Sequence, residues 1–235
     1  MQKLPMHCPT CTSRVMSIFC HLPPQLAKEM DAKKTTNSYK RGQVIFYEGN
    51  SPFGIYCIFS GKIKLFKSSP NGKQVILKIL GPGDVLGYRS LFSSEPYHAT
   101  AEVIEDVSAC FIEKDAFLHV VSRDQATGWN VIKLLSKELG AAETKAADAS
   151  TKSARVRMAE LLLMLQQSYG KKDKKGSLLE IRLKREELAE MIGTTTETAI
   201  RLVNEFKEDG ILLLEDHRIW ITDPKKLQDL TELPY

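Results

Sequence analysis

Two short amphipathic helices, predicted on either side of Gly193, constrain the fold of this 235-residue chain more than any other segment. In the first, KREELAEMIG, Leu188 and Ile192 lie on one helical face. Gly193 then ends that helix where a tight turn needs a permissive backbone. The next helix begins TTTETAIRLVNEF, and Thr194 or Thr195 can cap it. Its apolar residues follow the i, i+3, i+4, i+7 spacing of a buried stripe: Ala199, Leu202, Val203 and Phe206.

Two helices joined by a short glycine-containing turn form the helix-turn-helix pattern, whose second helix lies in the major groove of DNA. Glu197 and Arg201 are one turn apart, so both side chains can enter the groove from one face of the helix. Arginine can donate two hydrogen bonds to guanine, and glutamate can accept one from the N4 amino group of cytosine. The residues that we predict to contact DNA are Lys184, Thr194, Thr195, Thr196, Glu197, Thr198 and Arg201.

A purely structural interpretation of these residues is that Thr194 and Glu197 form a capping box and that Glu197 pairs with Arg201. This interpretation does not explain the next segment, in which GILLLE and IWIT are two short predicted strands around the polar turn DHR. A helix-turn-helix followed by a hairpin predicts a winged helix, which favours DNA binding. Upstream, GKKDKKGS is interpreted as a solvated, charged loop.

Residues 40–118 contain short runs of Val, Ile, Phe and Tyr between glycines, which predicts many short strands in a sandwich or barrel. The Asn-Gly pair of SPNGKQ predicts a hairpin with a tight two-residue turn. From about Asp124 the apolar period changes to alternating steps of three and four, as in a coiled-coil seam. We predict dimerisation along this seam, and the alternative is a helix packed on its own β domain. The seam residues are Ile132, Leu135, Leu139, Ala142, Ala146 and Ala149.

The composition is typical of a globular protein of two small domains, with 43% apolar and 26% charged residues. No apolar run approaches the roughly 20 residues of a membrane span, and we identify no signal peptide. We therefore expect a cytoplasmic protein with no membrane partner. The five cysteines, an odd number, favour a metal or redox site over a disulfide framework. No nucleophile–base pair, phosphate-binding glycine loop or pair of carboxylates stands out, so we do not expect an enzyme.

The predicted order of β-roll, long helix and winged helix resembles the bacterial CRP/FNR transcription regulators over residues 18 to about 223. The stretch LKREELAEMIGTTTETAIRLVNEFKEDGIL looks like their DNA-binding element, and GQVIFYEGN, GIYCIFSGKIKLF, GPGDVLGYRSLF and ATAEVIED look like their β-roll. The resemblance implies an α+β fold with a cyclic-nucleotide-binding-like β-roll, or jelly roll. The implied domains are a cysteine-containing arm (1–22), the β-roll (23–123), a dimerisation helix (124–150) and a winged helix-turn-helix (151–235).

The resemblance also implies a homodimer that binds double-stranded DNA at a two-fold symmetric operator and acts on RNA polymerase. Glu197 and Arg201 would read each half-site, and Thr195 and Thr198 would contact the DNA backbone. The CRP branch carries an arginine where this chain has Thr196, which suggests a half-site closer to that of the FNR branch. The alternative, from a different class, is a ligand-binding regulatory or scaffold protein that acts through protein contacts.

In this family the β-roll holds cyclic nucleotide through a glutamate on the ribose and an arginine on the phosphate. The stretch GDVLGYRSLFSSEPYHATA places Tyr88 and His98 at those two positions, so we do not expect cyclic AMP as the ligand. Arg89 and His98 could hold another anion, or they are an ordinary surface arginine and a loop histidine. The effector is unknown, and its candidate pocket comprises Gly87, Tyr88, Arg89, Ser90, His98, Ala99 and Thr100.

FNR-type relatives hold a [4Fe–4S] cluster with three cysteines of an N-terminal arm and a fourth of the β-roll, since such clusters take four thiolates. The corresponding candidates here are Cys8, Cys11, Cys20 and Cys110, although the C-x2-C-x8-C arm has a longer second gap than FNR. Cys57 is interpreted as a small buried hydrophobe, and His7 is a candidate fourth ligand for zinc. An iron–sulfur cluster, a zinc site or thiol switch, and no metal at all stay open. Phe19 and Leu22 predict that their end of the arm packs on the β-roll.

Overall fold

The computed structural model describes residues 7–216 and 218–232, and it contains both helices and strands, as predicted. Residues 1–6 of the predicted arm, His217 of the predicted polar turn and residues 233–235 lie outside the described residues. The chain divides into two compact units, Met1–Ala141 and Ala142–Tyr235, and the boundary falls within one long helix. Each unit has a sheet of its own. Within the part of the chain that is described, no helix combines the length and the apolarity that a bilayer crossing requires.

The first unit begins with the arm, where two 3-10 turns, Cys8–Thr10 and Ser13–Met16, precede the first helix. Its strands form one antiparallel sheet in the order β1-β6-β3-β4, with β2 paired to β6 and β5 paired to β3. The strands are β1 (Lys34–Tyr39), β2 (Val44–Phe46), β3 (Gly54–Ser68), β4 (Gln74–Leu80), β5 (Val85–Leu86) and β6 (Thr100–Glu113). The helices are α1 (Pro24–Ala32), α2 (Tyr88–Ser93), α3 (Lys114–Arg123) and α4 (Gln125–Thr151), which continues into the second unit.

Two long strands, β3 and β6, form the centre of this sheet and pair with each other along most of their length. The sequence predicts many short strands, but here several of the short runs join, because GIYCIFSG and KIKLFK both belong to β3, and TAEVI and SACFIE both belong to β6. Register shifts between Ile58 and Ile63 mark β-bulges that bend the pair. Gly61 permits this bend, because its φ is 85° and a Cβ atom there would lie 2.2 Å from the Asp106 carbonyl oxygen.

The hairpin predicted from SPNGKQ joins β3 to β4, where Ser68 pairs with Gln74. The prediction of a two-residue turn is wrong, since the loop spans residues 69–73. The Ser69 amide donates a hydrogen bond to the Lys73 carbonyl oxygen at 2.9 Å. The Asn71 side-chain oxygen accepts from the Ser69 hydroxyl at 2.5 Å and from the Lys73 amide at 3.2 Å, so the asparagine organises a longer loop than the pair alone predicts.

Two clusters of buried side chains form the core of the first unit. One lies within the sheet and includes Ile58, Ile63, Leu86, Val103 and Ala109. The other joins the arm to the sheet and helices, and it includes Phe19, Leu22, Phe117 and Val131. Phe19 and Leu22 are 2% and 4% exposed, which confirms that this end of the arm packs on the β-roll. Each such buried apolar side chain stabilises the docked arm by about 1.5–3 kcal/mol.

The second unit carries a four-stranded antiparallel sheet in the order β7-β8-β10-β9. Its strands are β7 (Gly170–Asp173), β8 (Gly176–Leu179), β9 (Leu212–Glu215) and β10 (Arg218–Ile221), and its helices after α4 are α5 (Ala154–Tyr169), α6 (Arg185–Ile192), α7 (Thr196–Glu208) and α8 (Pro224–Glu232). The hairpin predicted after the second helix is confirmed, because β9 and β10 pair with Leu212 opposite Ile221. This hairpin completes a winged helix-turn-helix.

The segment GKKDKKGS is not a loop, as its charge suggested, but contains most of the hairpin of β7 and β8. The physical reason lies outside the segment, since β8 pairs with β10 and places Leu178 opposite Trp220. The Trp220 indole donates a hydrogen bond to Asp173 Oδ2 at 3.0 Å, and the Lys175 ammonium lies 5.5 Å from the centre of the indole ring. Tertiary contacts thus stabilise β7 and β8, although the segment has little intrinsic strand propensity.

Candidate functional site

The turn between α6 and α7 has the geometry that the sequence predicts. Gly193 ends α6 in the left-handed region, with φ 68° and ψ 45°. The Thr194 amide donates to the Ala189 carbonyl oxygen at 3.0 Å, which closes the end of the helix. A Cβ atom at Gly193 would meet no atom within 4 Å, so the backbone conformation, and not crowding, is what favours glycine.

Thr195, one of the two predicted capping residues, caps the N-terminus of α7. Its hydroxyl oxygen accepts a hydrogen bond from the Thr198 amide at 3.2 Å. Hydrogen bonds from its own backbone amide and from the Thr195 hydroxyl hold the pKa of Glu197 below its usual range. The Glu197 carboxylate is therefore charged at neutral pH, and it stands exposed in the first turn of the helix.

The two faces of α7 differ sharply in burial. The predicted buried stripe is confirmed, because each of its residues is at most 2% exposed: Ala199, Leu202, Val203 and Phe206. On the other face, Glu197, Arg201 and Asn204 are exposed, and Thr196 and Thr198 are half-buried. An open depression there is lined by Glu197, Ile200, Arg201, Asn204, Glu205 and Glu208. Helix α7 is thus packed against the domain on its apolar side and exposes a polar face on the other side.

Arg201 does not pair with Glu197, as the structural interpretation required, but with Glu205. Its Nη1 donates to Glu205 Oε1 at 2.7 Å, and 65% of the Arg201 side chain stays exposed. The second Glu205 oxygen accepts from Arg155 Nη1 at 2.6 Å, and the Arg155 guanidinium lies 5.0 Å from the centre of the Phe206 ring. Sequence reasoning missed Glu205 as a site residue, although its i, i+4 spacing from Arg201 is a usable signal.

The other predicted DNA contacts lie at helix N-termini. Lys184 is exposed just before α6, and its amide donates to Glu187 Oε2 at 2.7 Å. Thr194 and Thr196 flank the capping Thr195. All of the predicted contacts except Lys184 therefore lie in the turn and in the first two turns of α7.

Tyr88, which the resemblance predicts at the first nucleotide-anchor position, is joined to helix α4 by a hydrogen bond. It is 5% exposed, and its hydroxyl donates a hydrogen bond to Glu138 Oε2 at 2.6 Å. The Lys78 ammonium lies 2.5 Å from the other carboxylate oxygen of Glu138. Burial, together with the nearby Glu138 carboxylate, raises the pKa of Tyr88. Sequence reasoning did not find Glu138, because it lies 50 positions from Tyr88.

His98, which the resemblance predicts at the second anchor position, lies in an environment that disfavours a positive charge. Burial lowers its pKa, and so do the charges of Arg89 and Lys67. A phosphate partner needs a cation, whereas this environment favours neutral imidazole. Arg89 is exposed. The remaining pocket candidates are buried or half-buried: Gly87, Ser90, Ala99 and Thr100.

All five cysteines are free thiols, and four of them line one cavity in the first unit: Cys8, Cys11, Cys57 and Cys110. The predicted metal ligands are thus only partly brought together. Cys20 does not line this cavity, and its Sγ lies 3.6 Å from Asn130 Nδ2. His7 has its Nδ1 2.9 Å from Asp31 Oδ2. Among residues 7–216 and 218–232, no three His, Cys, Asp or Glu side chains are already placed to hold a metal ion.

The cavity thiols lie in a poorly solvated environment. Burial raises the pKa of Cys8 to about 12 and also raises the pKa values of Cys57 and Cys110. The Lys34 ammonium acts in the opposite direction on Cys8 and Cys110. As free thiols these three groups are neutral at pH 7 and weakly nucleophilic.

Helix α4 leaves much of the predicted coiled-coil seam uncovered. Ile132 and Leu139 are 51% and 61% exposed. Leu135, in contrast, is half-buried and packs against the core cluster that contains the arm. The last three seam residues, Ala142, Ala146 and Ala149, are exposed.

Both predicted folded regions match known protein families. Residues 36–124 match the cyclic nucleotide-binding domain, and residues 156–230 match the Crp-like helix-turn-helix domain. The Cyclic AMP receptor protein of Thermus thermophilus is 30% identical over 193 residues, which cover 82% of this chain and 86% of that protein. The CRP-like cAMP-activated global transcriptional regulator of Mycobacterium tuberculosis is 27% identical over 212 residues, covering 89% of this chain and 94% of that protein.

A solved structure shows the same architecture. A CRP/FNR-family transcriptional regulator from Thermus thermophilus aligns with a TM-score of 0.71 and 24% identity, covering 85% of this chain and 99% of that one. The predicted fold is therefore confirmed: a cyclic-nucleotide-binding β-roll, a long helix and a C-terminal helix-turn-helix domain.

Proposed function

Because the chain belongs to the CRP/FNR family of transcription regulators, we propose that it acts as a homodimer that binds a two-fold symmetric operator in double-stranded DNA. The observation that carries this proposal is the exposed polar face of α7, which stands opposite a buried stripe. Such a helix enters the major groove with its N-terminal residues at the base edges. The bound dimer acts on RNA polymerase in the cytoplasm.

Two side chains of α7 read bases in the proposed complex. The charged Glu197 accepts a hydrogen bond from cytosine N4, and Arg201 donates two to guanine O6 and N7. Glu205 is a positioning residue, since it holds the Arg201 guanidinium at 2.7 Å. The surrounding residues contact phosphates and fix the register of the helix in the groove: Lys184, Thr194, Thr195, Thr196 and Thr198.

Helix α4 supplies the proposed dimer contact. Ile132 and Leu139 are large apolar side chains left exposed on it, and the partner's equivalent helix covers them in a two-fold interface. The exposed alanines Ala142, Ala146 and Ala149 let the two helices approach closely. Two recognition helices then meet half-sites about one helical turn of DNA apart, roughly 34–36 Å.

The proposed effector is not cyclic AMP, although two relatives are named for it. The anchor positions hold Tyr88, whose hydroxyl is bonded to Glu138, and His98, whose surroundings disfavour the cationic form. Neither side chain provides the charge-assisted bond that a buried phosphate needs. In the proposed mechanism, a structural change in the β-roll reaches helix α4 through the hydrogen bond between Tyr88 and Glu138.

The deciding experiment is a DNA-binding measurement on the full chain. We would select an operator from a random double-stranded pool and measure affinity by fluorescence anisotropy at fixed salt. The double variant Glu197→Ala, Arg201→Ala should lose about 100-fold in affinity, since each base contact contributes about 1–3 kcal/mol. Lys207→Ala, which removes a charge at the far end of the same helix, should change affinity less than about threefold.

Sedimentation of the same samples separates the two classes of function. The double variant should stay dimeric, because its changes lie outside α4. An unchanged affinity in the double variant would contradict base reading by Glu197 and Arg201. A chain that selects no operator at all would contradict DNA recognition and favour the ligand-binding scaffold that acts through protein contacts.

A further inference from the structure

Ile200 is a large apolar side chain on the polar face of α7. It stays 42% exposed, whereas each residue of the buried stripe on the opposite side of the helix is at most 2% exposed. The depression on this face is lined by charged and amide side chains together with Ile200: Glu197, Arg201, Asn204, Glu205 and Glu208. Ile200 follows Glu197 by three positions and precedes Asn204 by four, so the three side chains share one face of the helix.

Helix α7 gains little stability from an isoleucine at this position. A β-branched side chain loses rotamer freedom in a helix, and its helix propensity is lower than that of alanine. The packing of α7 on its domain comes from the other side, where Leu202, Val203 and Phe206 are buried. Single exposed apolar side chains are ordinary on protein surfaces, so it is the position of Ile200 on the recognition helix that indicates a role.

The major groove offers a protein one kind of apolar group. Each base edge there displays hydrogen-bond donors or acceptors, and thymine adds a C5 methyl group. An apolar side chain that faces a donor or an acceptor removes water from it without replacing the hydrogen bond, which costs free energy. Against a thymine methyl group, the same side chain buries apolar surface on both partners. Ile200 is therefore complementary to thymine and disfavours the other three bases at that position.

The neighbours of Ile200 on α7 determine where this thymine lies. Cβ atoms three or four residues apart on a helix are about 5–6 Å from each other, and successive base pairs are about 3.4 Å apart. The Arg201 guanidinium is held by Glu205 at 2.7 Å, and Glu197 stands in the first turn of the helix. The base that Ile200 meets is thus within about two base pairs of those that Glu197 and Arg201 contact.

We propose that Ile200 reads the C5 methyl group of a thymine in each half-site, beside the bases read by Glu197 and Arg201. The inference rests on the proposed function, because it requires α7 to lie in the major groove. Burial of one methyl-sized group contributes about fourfold to the affinity of each half-site. Base reading by this chain then includes an apolar contact as well as two charged ones.

The test removes the methyl group and leaves every hydrogen-bonding group of the base unchanged. Deoxyuridine replaces thymidine at one position of the selected operator at a time, symmetrically in both half-sites. Dissociation constants are measured by fluorescence anisotropy at fixed salt for the unmodified full chain, for Ile200→Ala and for Met164→Ala. Met164 is the matched control, because it is 43% exposed but belongs to α5, not to α7.

We expect one symmetric replacement to weaken binding by the unmodified chain and by Met164→Ala about 15-fold, from about fourfold at each half-site. Ile200→Ala should bind the thymine and deoxyuridine operators with equal affinity. Alanine is the best helix former and the side chain that it replaces is partly exposed, so this variant should fold. Thermal unfolding followed by circular dichroism checks that it does.

Three results would overturn the inference while leaving a chain that binds DNA. The first is a selected operator that has no thymine within about two base pairs of the bases read by Glu197 and Arg201. The second is an unmodified chain whose affinity falls at none of the deoxyuridine positions. The third is an equal loss in Ile200→Ala, which would assign the effect to another residue or to the shape of the DNA. A chain that selects no operator contradicts the proposed function itself, so the two failures are distinguishable.

Discussion

The Tyr88 hydroxyl lies 2.6 Å from Glu138 Oε2, and this hydrogen bond links the first residue of α2 to helix α4. The resemblance to the family predicts Tyr88 at the position of the residue that holds the ribose. This predicted ligand position is therefore connected to the proposed dimer helix.

Replacing Tyr88 by phenylalanine removes this bond and leaves Glu138 with Lys78. A hydrogen bond to a charged group stabilises the folded state by about 1.5–3 kcal/mol, so we expect the free energy of unfolding to fall by about 1.5 kcal/mol. Urea denaturation measures the change. Tyr47→Phe is the control, because Tyr47 is 59% exposed, and an equal loss in both variants would contradict a specific role for the Tyr88–Glu138 bond.

His98 should make stability depend on pH. Its pKa is lowered in the folded state from 6.5, so the unfolded chain binds more protons between these two pKa values. Stability from this group is present in full above about pH 6.5 and falls as the pH drops towards the folded pKa. Unfolding measured at pH 7.5 and 5.5 should show a smaller drop in His98→Asn than in the unmodified chain. An equal drop in stability between the two pH values in both proteins would rule out a contribution from His98.

The same substitution at two glycines should have opposite effects. Gly193→Ala places a side chain at φ 68° and should cost about 1–2 kcal/mol. Gly140→Ala lies inside α4, with nothing within 4 Å of the added Cβ, and should stabilise by about 0.5–1 kcal/mol. Thermal unfolding followed by circular dichroism compares the two. A neutral Gly193→Ala would mean that the turn relaxes to another conformation.

Leu139→Glu should weaken the dimer without unfolding the β-roll, since Leu139 is 61% exposed in the single chain. Loss of one buried leucine contributes about 1.5–3 kcal/mol, which is roughly 10- to 100-fold in the dimer dissociation constant. Analytical ultracentrifugation gives this constant. Leu77→Glu is the matched control, because Leu77 is 40% exposed and belongs to β4, not to α4.

Arg201→Lys should relax specificity more than it weakens binding. Lysine keeps the charge but cannot make the two-pronged contact with guanine, so discrimination at that base pair should fall by about 1–3 kcal/mol. Competition between the selected operator and its single-base variants measures this discrimination. Affinity lost uniformly across all sequences would instead identify Arg201 as a phosphate contact.

The local features of the second unit were predictable because they depend on residues close in sequence. The buried stripe of α7, the Gly193 turn and the β9–β10 hairpin all follow from spacing within a few residues. The β7–β8 hairpin was not predictable, since Trp220 and Asp173 hold it from 47 positions apart. Glu205, in contrast, follows Arg201 by four positions, so the i, i+4 rule for helical ion pairs is sufficient to predict their contact.

In the first unit, the limit of prediction is the sheet register. Nothing local identifies Cys57 as a neighbour of Cys110, because their pairing is set by β3 and β6 lying antiparallel across more than fifty residues. The sequence showed an isolated strand cysteine and an arm with three thiols. Only the register shows which of them share a cavity.

The packing of the arm also dictates an order of events at the ribosome. The Asn130 side chain donates to the Ile18 carbonyl oxygen at 3.0 Å across 112 positions, and the Phe19 ring meets the Phe117 ring edge-on at 6.2 Å. The arm precedes these elements in the chain, so it must wait until α3 and the start of α4 have emerged before it can dock. Closing so long a loop is slow compared with local folding. The arm is thus made before α3 and α4 and docks after them, so the nascent chain carries its C-x2-C pair unshielded until Cys110 is in place.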